Sequence, residues 1–428
     1  MAHTGFGRVG REMALGLIAK GHDVRVIAIN WRGVLGEIGA AINKDRKATI
    51  PQRLMSVSAE IAADPLLEVM MPAGEHGDGM GHNLTLPALR GQLWPGWKPE
   101  AMVFVADPRA MFGRLTHDGG AHQEAKRKGI RSLNYVPIEG TNLPPSMRLV
   151  YDYAEPVAMS AFGKAQLETL LGREVPMFYH GISEVFRPIT PLDPGRHGER
   201  VIETRDAAKE VIGARGQTII LRTDRYIFRK NYPAFFRVIR PVLEAHPEVR
   251  ALIHTVLMDD LGQGDIRESL SREPGAVHSG GYDWWHPQIT FTKAHDSYKG
   301  LDDEGLRLLY NAADVYVSPT MAEGFGLCLA ESLACGTAGV ATDYSAIPEV
   351  VGPGGVLIPP RDYITNGYAH EWALVDEAAM SAAVERLVGK PALRRQLGEA
   401  GRRHVRQFTW SAMVDGFDHL LETAAPTA

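Results

Sequence analysis

Short β-branched runs alternate with helical stretches along most of the chain, a pattern that predicts parallel sheets covered by helices. REMALGLIAKG (11–21) spaces its apolar residues as an amphipathic helix ending at Gly21, and DVRVIAIN (23–30) follows as a strand. AMVFVAD (101–107) is a further strand, and VAMSAFGKAQLETLLG (157–172) a strand running into a helix. The pattern stops in GISEVFRPITPLDPGRHG (181–198), whose Pro, Gly and charge predict a domain linker. A second series follows. It has strands at 217–222, 249–256, 289–293, 314–320 and 338–342, and helices at 232–246, 304–313, 326–334 and 411–424.

The expected organisation is two Rossmann-like domains, residues 1–185 and 186–410, with the 411–424 helix crossing back to the first. A doubly wound domain opens with a strand feeding its first turn. Here only Met1-Ala2-His3-Thr4 precedes a Gly-rich turn, so that first strand is expected to be missing or truncated.

Composition narrows the class only slightly. A net charge of −5 argues against dominant electrostatic binding to nucleic acid. No apolar run reaches the roughly 18 residues of a membrane helix, and no signal peptide opens the chain. Cys328 and Cys335 lie about 10 Å apart along one predicted helix, too far for a disulfide. Two core thiols fit a reducing compartment, hence a cytoplasmic protein.

Gly5-Phe6-Gly7-Arg8-Val9-Gly10 matches GxGxxG at a helix start, where glycines let an anion approach the backbone. A dinucleotide site also needs an acidic residue about 20 positions on, and none follows the strand before Glu37. A packing turn or a loop facing a substrate remain as readings. In Ser318–Leu327 a strand ends, a Gly-bracketed turn follows and a helix begins. Amides near Phe325, Gly326 and Leu327 would then suit a diphosphate without a metal. Glu331, about a turn and a half into the helix, is placed for ribose hydroxyls, and Glu323 in the turn for sugar hydroxyls. Arg225 and Lys230, five apart beyond the strand 217–222, can neutralise a leaving diphosphate. Taken alone, a surface Glu pair and a solvated basic turn describe these residues equally well.

Together these segments resemble the retaining glycosyltransferases of family 4, with the GT-B fold. The family's Glu-x7-Glu signature falls on Glu323 and Glu331 within EGFGLCLAE, and its Arg-x4-Lys pair on Arg225 and Lys230 within DRYIFRKN. Its N-terminal glycine loop falls on Thr4-Gly5-Phe6-Gly7, and its hinge on Gly181–Pro188. The resemblance implies a nucleotide-diphosphate sugar donor held between two sheets facing across a cleft, with no cofactor and no metal. Arg225, Lys230 and Glu323 would be catalytic. Gly5, Gly7, Gly324–Leu327 and Glu331 would hold the donor. Where the family often carries a His-Asp element, this chain has Val105-Ala106-Asp107-Pro108. Asp107 and His82 are therefore weaker candidates, as is Thr292 in the Phe291–Lys293 segment expected near the donor base. The loop GGYDWWHPQ (280–288) looks inserted, for ligand stacking or for packing.

The expected function is metal-independent transfer of a sugar, with retention, to an acceptor the sequence does not identify: lipid, protein, small sugar, natural product and modified nucleobase all stay open. A GT-B epimerase or phosphorylase is the alternative from another enzyme class, and a non-catalytic nucleotide-sugar-binding protein the third.

Overall fold

The glycine-rich head of the chain is helical. Helix α1 runs Gly5–Ala19 and so takes in both Gly5 and Gly7. The expected turn is therefore the first turn of a helix. Val9, Met13 and Leu17, at helical spacing, are all buried, and burying that stripe outweighs the roughly 1 kcal/mol that an interior glycine costs. The helix stops before Gly21, at φ 99°.

The computed structural model describes residues 5–27, 68–70, 82–92, 96–107, 120–259, 264–278, 284–292 and 301–423. Thr4, Pro108, Lys293 and residues 28–30 and 280–283 of the expected elements lie outside them. The chain divides into two units. One comprises Met1–Ile138, Leu143–Gly181 and Thr409–Ala428; the other, Glu139–Asn142 and Ile182–Phe408.

In the first unit, strands β1 (Arg25–Ile27) and β2 (Glu68–Met70) pair in parallel. Helix α2 spans His82–Leu89. Strands β3 (Ala101–Val105), β4 (Arg131–Val136) and β5 (Glu155–Ala158) form a parallel sheet. Helix α3 (Ala161–Leu171) is capped by Ser160, whose side chain accepts from the Gly163 amide, and closed by Gly172 at φ 70°. The last helix, Trp410–Thr423, packs on α1. Phe417 meets the rings of Tyr135 and Phe178 edge-on at 5.0 and 5.2 Å. Lys20 pairs with Asp415 at 2.5 Å, and His22 with Asp418 at 2.8 Å.

The second unit is a doubly wound sheet. Strands β6 (Thr218–Thr223), β7 (Val249–His254), β8 (Ile289–Phe291), β9 (Val315–Ser318), β10 (Ala338–Thr342) and β11 (Gly355–Ile358) lie in the order β8-β7-β6-β9-β10-β11, all parallel. Helix α4 (Tyr232–Ala245) buries Phe235, Phe236, Val238, Ile239, Val242 and Leu243 on one face. Helices α5 (Asp303–Ala312) and α6 (Leu327–Ala334) flank β9 in sequence. The antiparallel hairpin of β12 (Pro360–Thr365) and β13 (Glu371–Val375) follows, then helices α7 (Glu377–Val388) and α8 (Pro391–Val405).

The expected linker is firmly held. Arg307, almost fully buried, donates to the carbonyls of Arg187, Pro188 and Asp193 at 3.1–3.3 Å. The two tryptophans of the expected insertion differ: Trp284-Trp285 pairs with Val277-His278, Trp284 lies against the main core, and Trp285 is exposed.

Candidate active site

The strand order of the second unit reverses between β6 and β9. Open parallel sheets bind ligands outside the carboxyl ends of strands at such a reversal. Two loops leave those ends, residues 224–231 after β6 and 319–326 after β9. The Met321 amide donates to the Arg229 carbonyl at 2.9 Å and couples them. Arg222, at the end of β6, is fully buried and reaches both. It donates to Thr320 Oγ1 at 3.1 Å and to the Lys230 carbonyl, with its guanidinium 4.8 Å from the Tyr232 ring centroid.

Six side chains of alternating sign form a chain of ion pairs in and beside these loops. Arg222 pairs with Asp224 Oδ2 at 3.2 Å, and Asp224 Oδ1 with Lys230 Nζ at 2.7 Å. Lys230 also bonds Glu323 Oε1, whose other oxygen accepts from Arg229 at 3.0 Å. Arg229 ends the chain on Glu139 at 2.8 Å. The Lys230 and Glu323 side chains are only 11% and 12% exposed, so water screens the pair little. Burial alone would raise the Glu323 carboxyl; the charges of Lys230 and Arg229 outweigh it and hold it at about 2. Burial would likewise lower Lys230, but Asp224 and Glu323 push it up. Both stay ionised.

Glu323 is set in place by its backbone. Its amide donates to Ser345 Oγ at 2.8 Å, from the loop after β10. Phe325 is buried and meets Phe408 edge-on at 5.3 Å, so its ring anchors the turn. Gly326 caps α6 at φ 104°, with no side-chain capping bond. A helix start of this kind concentrates positive backbone charge. Glu331 is buried in α6 and accepts from the Tyr310 hydroxyl at 2.9 Å. Burial, then Glu331, pushes Tyr310 well up, so it donates as a neutral phenol. Cys328 and Cys335 are both free thiols; burial and nearby carboxylates push Cys328 up to about 12.

The structure brings together Lys230, Glu323, Gly324, Phe325, Gly326, Leu327 and, one turn deeper, Glu331. Arg225 is exposed at the rim; the arginine on Glu323 is Arg229. Thr292 accepts or donates at 2.8 Å with His254 Nδ1, beyond β7 and β8. Gly5, Gly7, His82 and Asp107 belong to the first unit. His82 opens α2, its side chain outside those described, and Asp107 follows β3. Arg222, Asp224, Arg229 and Glu139 were not singled out from sequence. An arginine inside the apolar strand TIILRT was the available signal: buried in a sheet it requires a carboxylate, and Asp224 lies two residues on. Nothing marked Glu139, which comes from a distant segment. Among the described residues no cluster of His, Cys, Asp or Glu is arranged to hold a metal ion.

Residues 226–388 match the family model described as Glycosyl transferases group 1. The MMP alpha-(1->4)-mannosyltransferase of Mycolicibacterium hassiacum is 39% identical over 119 residues, 27% of this chain and 26% of that protein. The alpha-maltose-1-phosphate synthase of Mycolicibacterium smegmatis is 36% identical over 113 residues, 26% of this chain and 27% of that protein. The matched stretches thus span about a quarter of the length of these relatives. Sucrose-phosphate synthase from Thermosynechococcus elongatus superposes with TM-score 0.66 at 16% identity, covering 98% of this chain and 93% of that one. The alpha,alpha-trehalose-phosphate synthase (UDP-forming) from Burkholderia vietnamiensis gives 0.64 at 14%, covering 96% and 92%.

Proposed function

We propose, on the premise that residues 226–388 belong to the group 1 glycosyl transferases within a GT-B fold, that the chain is a retaining, metal-independent glycosyltransferase. Its donor is a nucleotide-diphosphate sugar and its acceptor nucleophile a hydroxyl. Residues 186–410 carry the donor, residues 1–185 the acceptor. The free thiols suit a reducing, cytoplasmic setting.

The observation that carries this reading is the pairing of Lys230 with Glu323 at the strand-order reversal, beside the start of α6. The bond from anomeric carbon to phosphate oxygen breaks, its electron pair staying on the diphosphate. The acceptor oxygen bonds that carbon and passes its proton to the departing diphosphate oxygen. Lys230, joined by Arg225 from the rim, neutralises the departing charge, together with amides at Gly324–Leu327. Fixed cations and dipoles in a water-poor site stabilise such charge without reorganising. Glu323 accepts from hydroxyls of the donor sugar and Glu331 from those of the ribose. Gly5 and Gly7, and more weakly Asp107, His82 and Thr292, complete the proposed donor and acceptor contacts.

Incubation with UDP-, GDP- and ADP-sugars, with chromatography of the released nucleotide, tests the reading. Lys230→Ala should lower transfer at least about a hundredfold, as loss of one transition-state charge contact does, and Glu331→Ala, which loses the ribose contact, should weaken donor binding and lower transfer with it. Near-normal turnover in both variants refutes it.

A further inference from the structure

We infer that Arg229 is a positioning residue: its guanidinium holds Glu323 so that Lys230 is free to turn to the anionic part of the donor. The inference rests on the donor reading above.

Lys230 is shared between two carboxylates, Asp224 at 2.7 Å and Glu323. Each of those carboxylates has a second cation of its own. Arg222 holds Asp224 Oδ2 at 3.2 Å, and Arg229 holds Glu323 Oε2 at 3.0 Å. Both arginines are fixed by further bonds. Arg222 donates to the Val317 carbonyl at 3.3 Å and to Thr320. Arg229 pairs with Glu139 at 2.8 Å and donates to the Ala322 carbonyl. A guanidinium fork tied at several points is rigid, whereas an ammonium on a four-carbon stem can swing. Lys230 is thus the one cation of the three able to move.

Removing the partner of a buried charge is costly because it leaves that charge uncompensated. When a diphosphate draws the Lys230 ammonium away, Asp224 keeps Arg222 and Glu323 keeps Arg229, so neither is stranded. Without Arg229, the same movement leaves a buried Glu323 alone. Lys230 is then held back, and the anion binds less well.

Titration calorimetry of the full chain with UDP, GDP and ADP, using whichever binds best, tests this. Arg229→Gln should weaken binding at least about fivefold, and Arg229→Lys, which keeps a cation, less than about threefold. Glu323→Gln should bind no more weakly than the unaltered chain, because Lys230 is released. In the Glu323→Gln background, Arg229→Gln should then change affinity less than about twofold. A purely structural Arg229 would cost the same in both backgrounds. Equal binding by Arg229→Gln and the unaltered chain, or a double variant weak as Arg229→Gln, overturns the inference alone. If Arg229→Gln does not fold, the Glu323→Gln background decides: a further loss there overturns the inference. Failure of the unaltered chain to bind any of the three nucleotides overturns the donor reading, and the inference with it.

Discussion

Glu323 remains ionised deep into acid because Lys230 and Arg229 outweigh its burial. Its carboxyl titrates at about 2 in the fold against an ordinary 4.5. Its stability contribution is therefore complete above about pH 4.5 and disappears as pH falls toward 2. His180 behaves differently. Its ring is buried against Tyr135, whose hydroxyl lies 3.0 Å from Nδ1, and burial holds it at about 3 against 6.5. The fold keeps it neutral while the unfolded chain takes up a proton, so stability falls from about pH 6.5 downward. The first unit should weaken in acid before the second. Urea unfolding at about pH 7.5, 5.5 and 4 should show this, and His180→Gln should flatten the slope between the first two. A slope unchanged by that substitution would refute the assignment. At this scale the placement of Glu323 in the turn and Glu331 in the helix was legible, because a strand, a glycine bracket and a helix fix it, and Lys230 was legible as a cation beyond β6. The sequence spacing singled out Arg225 and passed over Arg229, the arginine that pairs with Glu323. Both sit in a tight loop, and spacing does not tell which side chain turns inward.

Elements with strong apolar periodicity, such as α4 and β6, were readable to within a residue or two. Helix α8 was not. PALRRQLGEAGRRHV offers few apolar residues, and its buried positions include Gly398 and Gly401. An added Cβ at Gly398 would lie 2.0 Å from the Gly336 carbonyl oxygen. Gly398→Ala should therefore destabilise by about 1–3 kcal/mol, read as a lower urea midpoint. Gly389→Ala, whose Cβ meets only the Glu385 carbonyl at 3.6 Å, is the matched control. Gly326 is constrained by its backbone instead: at φ 104° an alanine is strained. Gly326→Ala should cost about 1–2 kcal/mol and weaken nucleotide binding, measured by melting and calorimetry. The β12–β13 hairpin also escaped the sequence reading, since its first strand is mostly exposed and shows no alternation.

For the molecule as a whole, a nucleotide sugar at about 100 times its Kd should stabilise by about 2.7 kcal/mol, seen as a raised melting temperature. No shift with UDP-, GDP- or ADP-sugars would count against the donor. The doubly wound second unit was legible where strands and helices alternate, at β6, α4 and β7 and from β8 to β10, whereas β11 and the short hairpins between β7 and β8 were not read. The strand pairing of the first unit was less legible, since its strands are short and separated by long segments.

The helix Trp410–Thr423 gives this architecture a temporal order. Phe417, Met413 and Val414 complete the apolar face of α1 and of β4, yet they are made after the whole of Ile182–Phe408. Residues Ile182–Phe408 are continuous, apart from the short Glu139–Asn142 segment that is made earlier, and can fold as they emerge. The first unit, though synthesised first, waits with Val9, Met13 and Leu17 uncovered. At about 5–20 residues per second that wait lasts on the order of ten seconds or more. During translation the nascent chain thus presents an N-terminal half whose apolar face stays open until the helix Trp410–Thr423 arrives.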